Sequence, residues 1–408
     1  MAADKQDKVL NVPTLRFPEF KNDWNDYRLR DLCTFHSGGT PSIDNVEYWE
    51  GEISFVSAVA MHNTHIEKTP LTLTEKGLRN GSKLLEAGNL LLLVRGSMLW
   101  NKIPICYNDV DVAFNQDVKG IVPNSKTTSL FLLNWIQSHE NRIKYMVTGT
   151  GIGAGKLDSE DLLALNIKLP SLNEQKKIEK FLSLIDERIE TQIRIIEKLQ
   201  SLMKGLNDYL QDSVPLSYSL SFTDIGEDYS GLSGKSAEDF GSGKPYITYV
   251  SIYANNFVED DCCGKVSVER NEKQNVVQKG DMLFTLSSET PEEVCYGAVY
   301  LGNSTETYLN SFCFGVRNRE EKVFSPYMAY FFNSSRFRRK VYPLAQGSTR
   351  FNLQKSDFLQ KQFLYPSIED QHRIFEILNA YDNKIKVENR ILAHYQLQKE
   401  FLLRNLFI

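Results

Sequence analysis

The chain is poor in the motifs that carry catalysis, metal binding or membrane insertion. No uninterrupted apolar run approaches the roughly 20 residues that cross a bilayer; Leu90–Val94 ends at Arg95. The opening segment MAADKQDKVLNVP has no apolar core of the secretory kind. The six cysteines, Cys33, Cys106, Cys262, Cys263, Cys295 and Cys313, form no C-x-x-C, and the adjacent pair Cys262–Cys263 cannot make a zinc knuckle alone. They are expected to be reduced, mostly buried thiols in a cytoplasm. The six histidines form no H-E-x-x-H, and His62 with His65 lacks a third ligand. No aromatic-flanked Asn/Asp-Pro-Pro motif for amino methylation occurs.

Two near-motifs fail on inspection. Gly149–Lys156 suggests a phosphate loop, but Thr150 stands where the first glycine belongs and Leu157 where a hydroxyl should hold magnesium. A flexible loop before a helix is expected there instead, with Lys156 available to a phosphate. The E-x-K triplets at Glu174–Lys176 and Glu320–Lys322 lack an upstream acid on a strand to complete a metal site. Both are read as surface residues, the first inside a helix cap. A net charge of −5 argues weakly against a nucleic-acid coat protein, although a local basic surface can still bind phosphate.

What the chain has is repetition. Pro170–Leu210 and Pro366–Leu406 align without a gap at an offset of 196 positions. Gln175/Gln371, Ile178/Ile374, Asp186/Asp382, Ile189/Ile385 and Arg194/Arg390 are identical pairs. Each copy opens with a helix signal: Ser171 and Glu174 form a capping box, and Ser367 with Asp370 a looser one. Ile178, Leu182, Ile185, Ile189, Ile196, Leu199, Met203, Leu206 and Leu210 then follow in steps of four and three, a heptad seam. Ile374, Leu378, Tyr381, Ile385, Leu392, Tyr395, Leu402 and Leu406 repeat it. With no internal proline, each helix should reach roughly 60 Å. Such a length outruns a domain core, so the two are expected to pair antiparallel. Both seams break at one place, Gln192 and Glu388. These either meet about a pseudo-two-fold axis, fixing register at some cost in stability, or face water.

The segments before the helices are weaker repeats. Phe55-Val56-Ser57 answers Tyr249-Val250-Ser251, and Gly88-Asn89-Leu90-Leu91 answers Gly280-Asp281-Met282-Leu283. Leu157 with Asp161-Leu162-Leu163 answers Leu353 with Asp357-Phe358-Leu359 at the same 196 offset. Strands are expected at Ile53–Val56, Leu90–Val94 and Val118–Val122, and a helix at Ser129–Lys144. The fold class is therefore α+β, with two similar mixed α/β domains separated by two long antiparallel helices. The expected boundaries are 1–169, 170–211, 212–365 and 366–408. Duplication at this period means repeated domains and not a solenoid. The interiors differ, as at Arg95–Trp100 against Leu286–Pro291, which fits one scaffold carrying two recognition surfaces as well as drift of loops.

With no catalytic constellation, the positive reading is binding. Arg336, Arg338, Arg339 and Lys340 form the densest basic cluster, either a phosphate contact or a solvated helix face. Loop residues able to read bases are Thr40, Ser42, Arg95, Ser97, Asn101, Gln116 and Lys156 in the first domain. In the second they are Ser287, Ser288, Thr349, Arg350 and Asn352. Arg95 is equally suited to pairing with a core carboxylate.

Taken together, LRFPEF with Trp24, Leu29-x-Asp31-Leu32, GGTPS with Tyr48-Trp49-x-Gly51, Arg95-Gly96-Ser97, Asn115-Gln116 and the two Pro-Ser-x-x-x-Gln helix starts resemble the specificity subunit of Type I restriction-modification systems. The resemblance covers nearly the whole chain. It implies target recognition domains that each read half of a split, asymmetric site in double-stranded DNA, and helices that measure the gap. It implies two methyltransferase subunits bringing S-adenosylmethionine and two restriction subunits using ATP and magnesium. No catalytic residue, metal or cofactor is expected in this chain, no membrane contact either, and a bacterial cytoplasmic location. A coiled-coil scaffold joining two protein-binding domains, and an enzyme with a disguised nuclease or methyltransferase site, are the rivals.

Overall fold

The structure is a computed structural model that describes residues 11–150, 153–269 and 271–408. It falls into two compact units, Met1–Gln192 with Ile391–Ile408, and Ile193–Arg390. The first long helix is Leu172–Ser213, 42 residues, and the second is Ile368–Leu406, 39 residues. Each unit thus takes one end of each helix.

The seam buries as its spacing predicts. Ile178, Leu182, Ile185, Gln192 and Ile196 are buried on the first helix, with Ile189 and Leu199 half-buried. Ile374, Leu378, Ile385 and Glu388 are buried on the second, with Leu392 and Tyr395 half-buried. Gln192 and Glu388 therefore do not face water, and Glu388 is salt-bridged to Lys384 one turn earlier, 2.5 Å. Tyr381 departs from the expected seam, being 40 % exposed. The half-buried position next to it is Asp382, whose carboxyl is pushed up by burial and held back by Lys386. A step of four from Leu378 reaches Asp382, so the stripe drifts one residue and the amphipathic phenol takes the wet side.

In the first unit, a five-stranded sheet runs in the order Cys33–Ser37, Val118–Pro123, Leu90–Leu93, Ile105–Asn108, His65–Ile66. Its central strand, four consecutive leucines, is buried throughout, as an unbroken apolar run requires. A four-stranded sheet (Thr72–Leu73, Trp49–Val56, Val112–Phe114, Leu84–Leu85) and the pair Asn25–Arg28 with Asn166–Leu169 complete the frame. The expected helix Ser129–Lys144 is two helices, Ser129–Ser138 and Glu140–Lys144, broken at His139. One core joins Leu90–Leu93, Phe131 and Trp135 to Ile178, Leu182 and Ile185 of the first long helix, to Leu402 and Leu406 of the second, and to Phe407 just past its end. Each such aliphatic side chain stabilises the unit by roughly 2 kcal/mol. Lys399 meets Asp186 at 2.6 Å, and Tyr395 lies in a cleft with Thr191 and Gln192. Rising numbers on one helix meet falling numbers on the other, so within this unit they run antiparallel.

The LRFPEF segment straps this joint. Leu15 N–H donates to Asn405 O at 2.9 Å, Phe17 packs edge-on against Phe181 at 5.8 Å, and Arg16 grips Glu174 at 2.7 and 2.9 Å. Ser171 does accept the Glu174 N–H, at 3.4 Å. The Glu174 carboxylate, however, turns to Arg16 and the Trp24 indole instead of closing a capping box. It is buried, not a surface residue as its sequence context suggests.

The second unit repeats the plan. Its five-stranded sheet has the order Gly226–Ser230, Cys313–Asn318, Met282–Thr285, Gly297–Tyr300, Phe257–Val258. Phe240–Ile247 sits between Cys263–Val266 and Tyr308–Leu309, and Leu216–Leu220 pairs with Phe363–Pro366. Its main core joins a phenylalanine cluster to Ile374 and Leu378, against which Met203, Leu206 and Leu210 pack. Gly88 and Gly280 precede the central strands of the two units with matching positive φ of 87° and 89°, a left-handed turn that favours glycine. One proposed correspondence diverges. Phe55 and Val56 end a strand, whereas Tyr249 opens the helix Tyr249–Ala254, because Thr248 caps it by accepting the Ser251 N–H at 3.0 Å.

The identical pair Gln175/Gln371 makes the same joint twice. Gln175 donates to Lys126 O (3.1 Å) and Pro170 O (2.9 Å). Gln371 donates to Lys322 O (2.8 Å) and Pro366 O (3.0 Å) and also accepts the Phe324 N–H at 2.8 Å. Both are fully buried. Each ties the start of a long helix to the loop between the strand and the helix that follows it in its own domain, Pro123 to Ser129 and Asn318 to Ser325.

Candidate nucleic-acid interface

The sequence candidates of the first domain gather round one small sheet. Strand Arg95–Gly96 follows directly on the central leucine strand, with Val94 and Arg95 N–H both donating to Asp117 O at 2.8 and 3.3 Å. It pairs with Gly155–Lys156, in the register Lys156 opposite Arg95, and that strand pairs with Thr148–Gly149. The supposed flexible loop is therefore a β-hairpin at both of its ends; Gly151 and Ile152 lie outside the described residues. Leu157 N–H closes the frame on Val94 O at 2.8 Å.

Arg95, Ser97 and Asn101 are exposed. Arg95 has no carboxylate partner among the described residues, so the core ion pair weighed for it is not formed. Lys156 leans 3.7 Å from Asp158. Gln116 is adjacent in sequence to the Asp117 carbonyl that holds Arg95, and its Oε1 accepts the Thr40 hydroxyl at 2.8 Å. Ser42 is exposed, and its carbonyl accepts the Trp49 indole N–H at 3.1 Å.

The second unit carries the same frame. Ser287–Ser288 pairs with Phe351–Leu353, which pairs with Ala345–Gln346. Leu353 N–H donates to Leu286 O at 2.8 Å, the counterpart of the Leu157 bond. Ser287 and Ser288 correct the sequence reading, for both are buried. Ser287 O accepts the Tyr249 hydroxyl at 2.6 Å, and the Ser288 hydroxyl donates to Thr290 O. They hold the frame from inside, while the exposed face belongs to Thr349, Arg350 and Asn352. Arg350 lies 5.6 Å over the Phe312 ring, itself 56 % exposed.

The basic cluster is not one free cationic face. On helix Ser335–Val341, Arg336 is bound to Asp212 at 2.8 Å and Lys340 to Gln362 O at 3.0 Å. Arg338 caps the carbonyls of Glu292, Val294 and Cys295, and burial lowers its pKa. Arg339 is the exposed member, with a bond to Ser335 O in its own helix at 3.1 Å. Positions 336, 339 and 340 share a face of this short helix and 338 does not, yet all but Arg339 are spent on partners inside the unit.

Sequence reasoning passed over two aromatics. Trp100 is 48 % exposed, and its indole N–H donates to Gly153 O at 3.0 Å. The other is Phe312, whose exposed ring lies under the Arg350 guanidinium. A large aromatic within a few residues of the candidate polar positions was the available signal for Trp100.

All six cysteines are free, four buried and Cys262 and Cys263 half-exposed; burial pushes the Cys33 and Cys106 thiols up to about 12. Among the described residues no three His, Cys, Asp or Glu side chains are placed to hold a metal, and no helix is long and apolar enough to cross a membrane.

Comparison with known proteins bears on this arrangement. The family described as the Type I restriction modification DNA specificity domain matches residues 21–201 and 223–394. The Type I restriction enzyme EcoR124I/EcoR124II specificity subunit of Escherichia coli is 29 % identical over 214 residues, 52 % of this chain and 49 % of that protein, about half its length. The MjaVIII specificity subunit of Methanocaldococcus jannaschii is 24 % identical over 95 % of this chain and 92 % of its own. Among solved structures, the Type I restriction-modification S subunit from M. genitalium superposes with a TM-score of 0.53 at 16 % identity, covering 97 % of this chain and 99 % of that one. A chain from a structure concerned with assembly and conformational transition of the type I system gives 0.57 at 15 % identity, covering 93 % and 96 %. At these identities the structures speak for the fold alone.

Proposed function

The chain belongs to the Type I restriction modification DNA specificity family, and from that premise we propose that its two units each read one half of a split, asymmetric site in double-stranded DNA. The observation that carries this is the duplicated frame with unlike faces. The same three-stranded sheet hangs from the same backbone bond in both units, Leu157 to Val94 and Leu353 to Leu286. One presents Arg95, Ser97, Asn101 and Lys156, the other Thr349, Arg350 and Asn352. Thr40, Ser42 and Gln116 extend the first surface, and Arg339 supplies a phosphate contact in the second.

The two long helices set the number of unread base pairs between the half-sites. Gln192 and Glu388, the matching polar breaks in the two repeated seams, fix the register of the helices. The domains of this scheme are the recognition domains 1–169 and 212–365 with the spacer helices 170–211 and 366–408. Two methyltransferase subunits dock on the helices and bring S-adenosylmethionine. Two restriction subunits bring ATP and magnesium, and the assembly works in the bacterial cytoplasm.

The test is a map of methylated bases in a host expressing this chain with its methyltransferase partners. Two short, different motifs at a fixed separation are expected. One continuous motif, or methylation indifferent to the chain, overturns the proposal.

A further inference from the structure

We infer that Arg95 reads a guanine, so that the half-site taken by the first unit contains an invariant G whose recognition has no counterpart at the equivalent place in the second unit. This rests on the proposed reading of DNA by the two units and names the base chemistry of one of them.

The inference starts from what Arg95 does not do. Of the arginines in the same unit, Arg16, Arg30, Arg79 and Arg404 are each salt-bridged to a glutamate, whereas Arg28, Arg142 and Arg188 share with Arg95 the lack of one among the described residues, so it is the setting of Arg95 that sets it apart. Arg95 is exposed and has no such partner among the described residues. Its root is nevertheless firmly held. The strand continues from the buried leucine strand. Asp117 O accepts from the N–H groups of Val94 and Arg95, Leu157 N–H bonds to Val94 O, and Lys156 stands directly across. Trp100 is tied by its indole to Gly153 O on the neighbouring hairpin. A fixed root with a free end is wasteful for a structural arginine and suits one aimed at a ligand.

The chemistry of that end selects the base. A guanidinium presents two parallel N–H donors, which match the O6 and N7 acceptors of guanine in the major groove, and no other base edge offers that pair. Lysine carries the same charge without the planar fork. The second unit places Ser287–Ser288 at the equivalent strand, both buried, and follows them with exposed Glu289. No cation occupies that place, and a carboxylate there would repel guanine's acceptors.

The experiment uses the full chain assembled with its methyltransferase partners, as wild type, Arg95→Lys and Arg95→Ala, each mapped for methylated sequences and titrated with duplex DNA at several salt concentrations. The wild type should show one half-site with an invariant G. Arg95→Lys should retain the salt dependence of binding but lose preference for that G by roughly 10–100-fold, with the other half-site unchanged. Wild-type intrinsic fluorescence from the four tryptophans, all of them in the first unit, certifies that this unit is folded in each variant. If both variants keep the G, and Arg95→Ala only weakens binding and lowers the salt slope by about one, Arg95 is a phosphate contact and the inference fails. A wild-type map with no split motif would instead sink the underlying reading, whatever Arg95 does.

Discussion

Replacing Gln175 or Gln371 by alanine should destabilise the two units unequally, because the two joints differ by one bond. Gln175→Ala removes two bonds, to the part-buried Lys126 carbonyl and the buried Pro170 carbonyl. A carbonyl has weak alternatives, and each lost bond costs about 1 kcal/mol, so the change should cost about 2 kcal/mol. Gln371→Ala removes the same two and also orphans the Phe324 N–H. A part-buried donor left unpaired adds about 1–3 kcal/mol, for a total of about 3–5 kcal/mol. In a unit of this size 1 kcal/mol moves the midpoint by roughly 2–4 °C, so Gln371→Ala should lower it by about 6 °C or more. All four tryptophans precede residue 170 and report the first unit, so intrinsic fluorescence follows Gln175→Ala. Amide hydrogen exchange across residues 193–390 follows Gln371→Ala. Two variants within about 0.5 kcal/mol of wild type, or a larger loss for Gln175→Ala, would refute the joint as described.

Arg16→Ala should cost about 3 kcal/mol by chemical denaturation, since it strands the Glu174 carboxylate, 3 % exposed, with only the Trp24 indole; adding Glu174→Gln should recover part of that loss. His139 is stacked on Trp135 at 4.3 Å, and burial lowers its pKa, with Arg142 adding to the effect. The unfolded chain therefore binds the proton more readily than the folded one, and stability should fall as pH drops through the ordinary histidine range near 6.5. Thermal melts at pH 8 and pH 5.5 should show a smaller difference for His139→Gln than for wild type. Arg339→Ala should weaken DNA binding and reduce its salt slope by about one, whereas Arg336→Ala should chiefly lower thermal stability by freeing Asp212.

Periodicity made the long helices legible, since a seam in steps of three and four survives any tertiary context that gives it a partner. Tyr381 shows where this stops. Heptad and helix periods differ slightly, so a stripe drifts along 39 residues, and an amphipathic residue at its edge takes either side. The central strands were visible as unbroken apolar runs, but the hairpin at Thr148–Lys156 was not, because its glycines fit a loop as well as a tight strand pair. Ser287 and Ser288 were misread for a related reason. Serine is as common on a surface as in a satisfied interior, and only the strand pairing in the folded unit shows which way these two face. Glu174 was misplaced because its partner, Arg16, lies 158 residues away, beyond any local pattern. The basic run at Arg336–Lys340 was legible as charge, but its neutralisation by Asp212 and by main-chain carbonyls depends on tertiary contacts.

The most direct test of the account is to lengthen both helices together. Seven residues, one heptad that preserves the seam, would be inserted after Gln192 and after Arg390, where the chain passes from one compact unit to the other. Seven residues add about 10 Å of helix, roughly three base pairs of B-DNA at 3.4 Å each. Methylated-site maps should show both half-sites unchanged and the unread gap longer by about three base pairs. A gap of unaltered length, or altered bases within either half-site, would contradict the claim that the helices measure the distance between two independent recognition units.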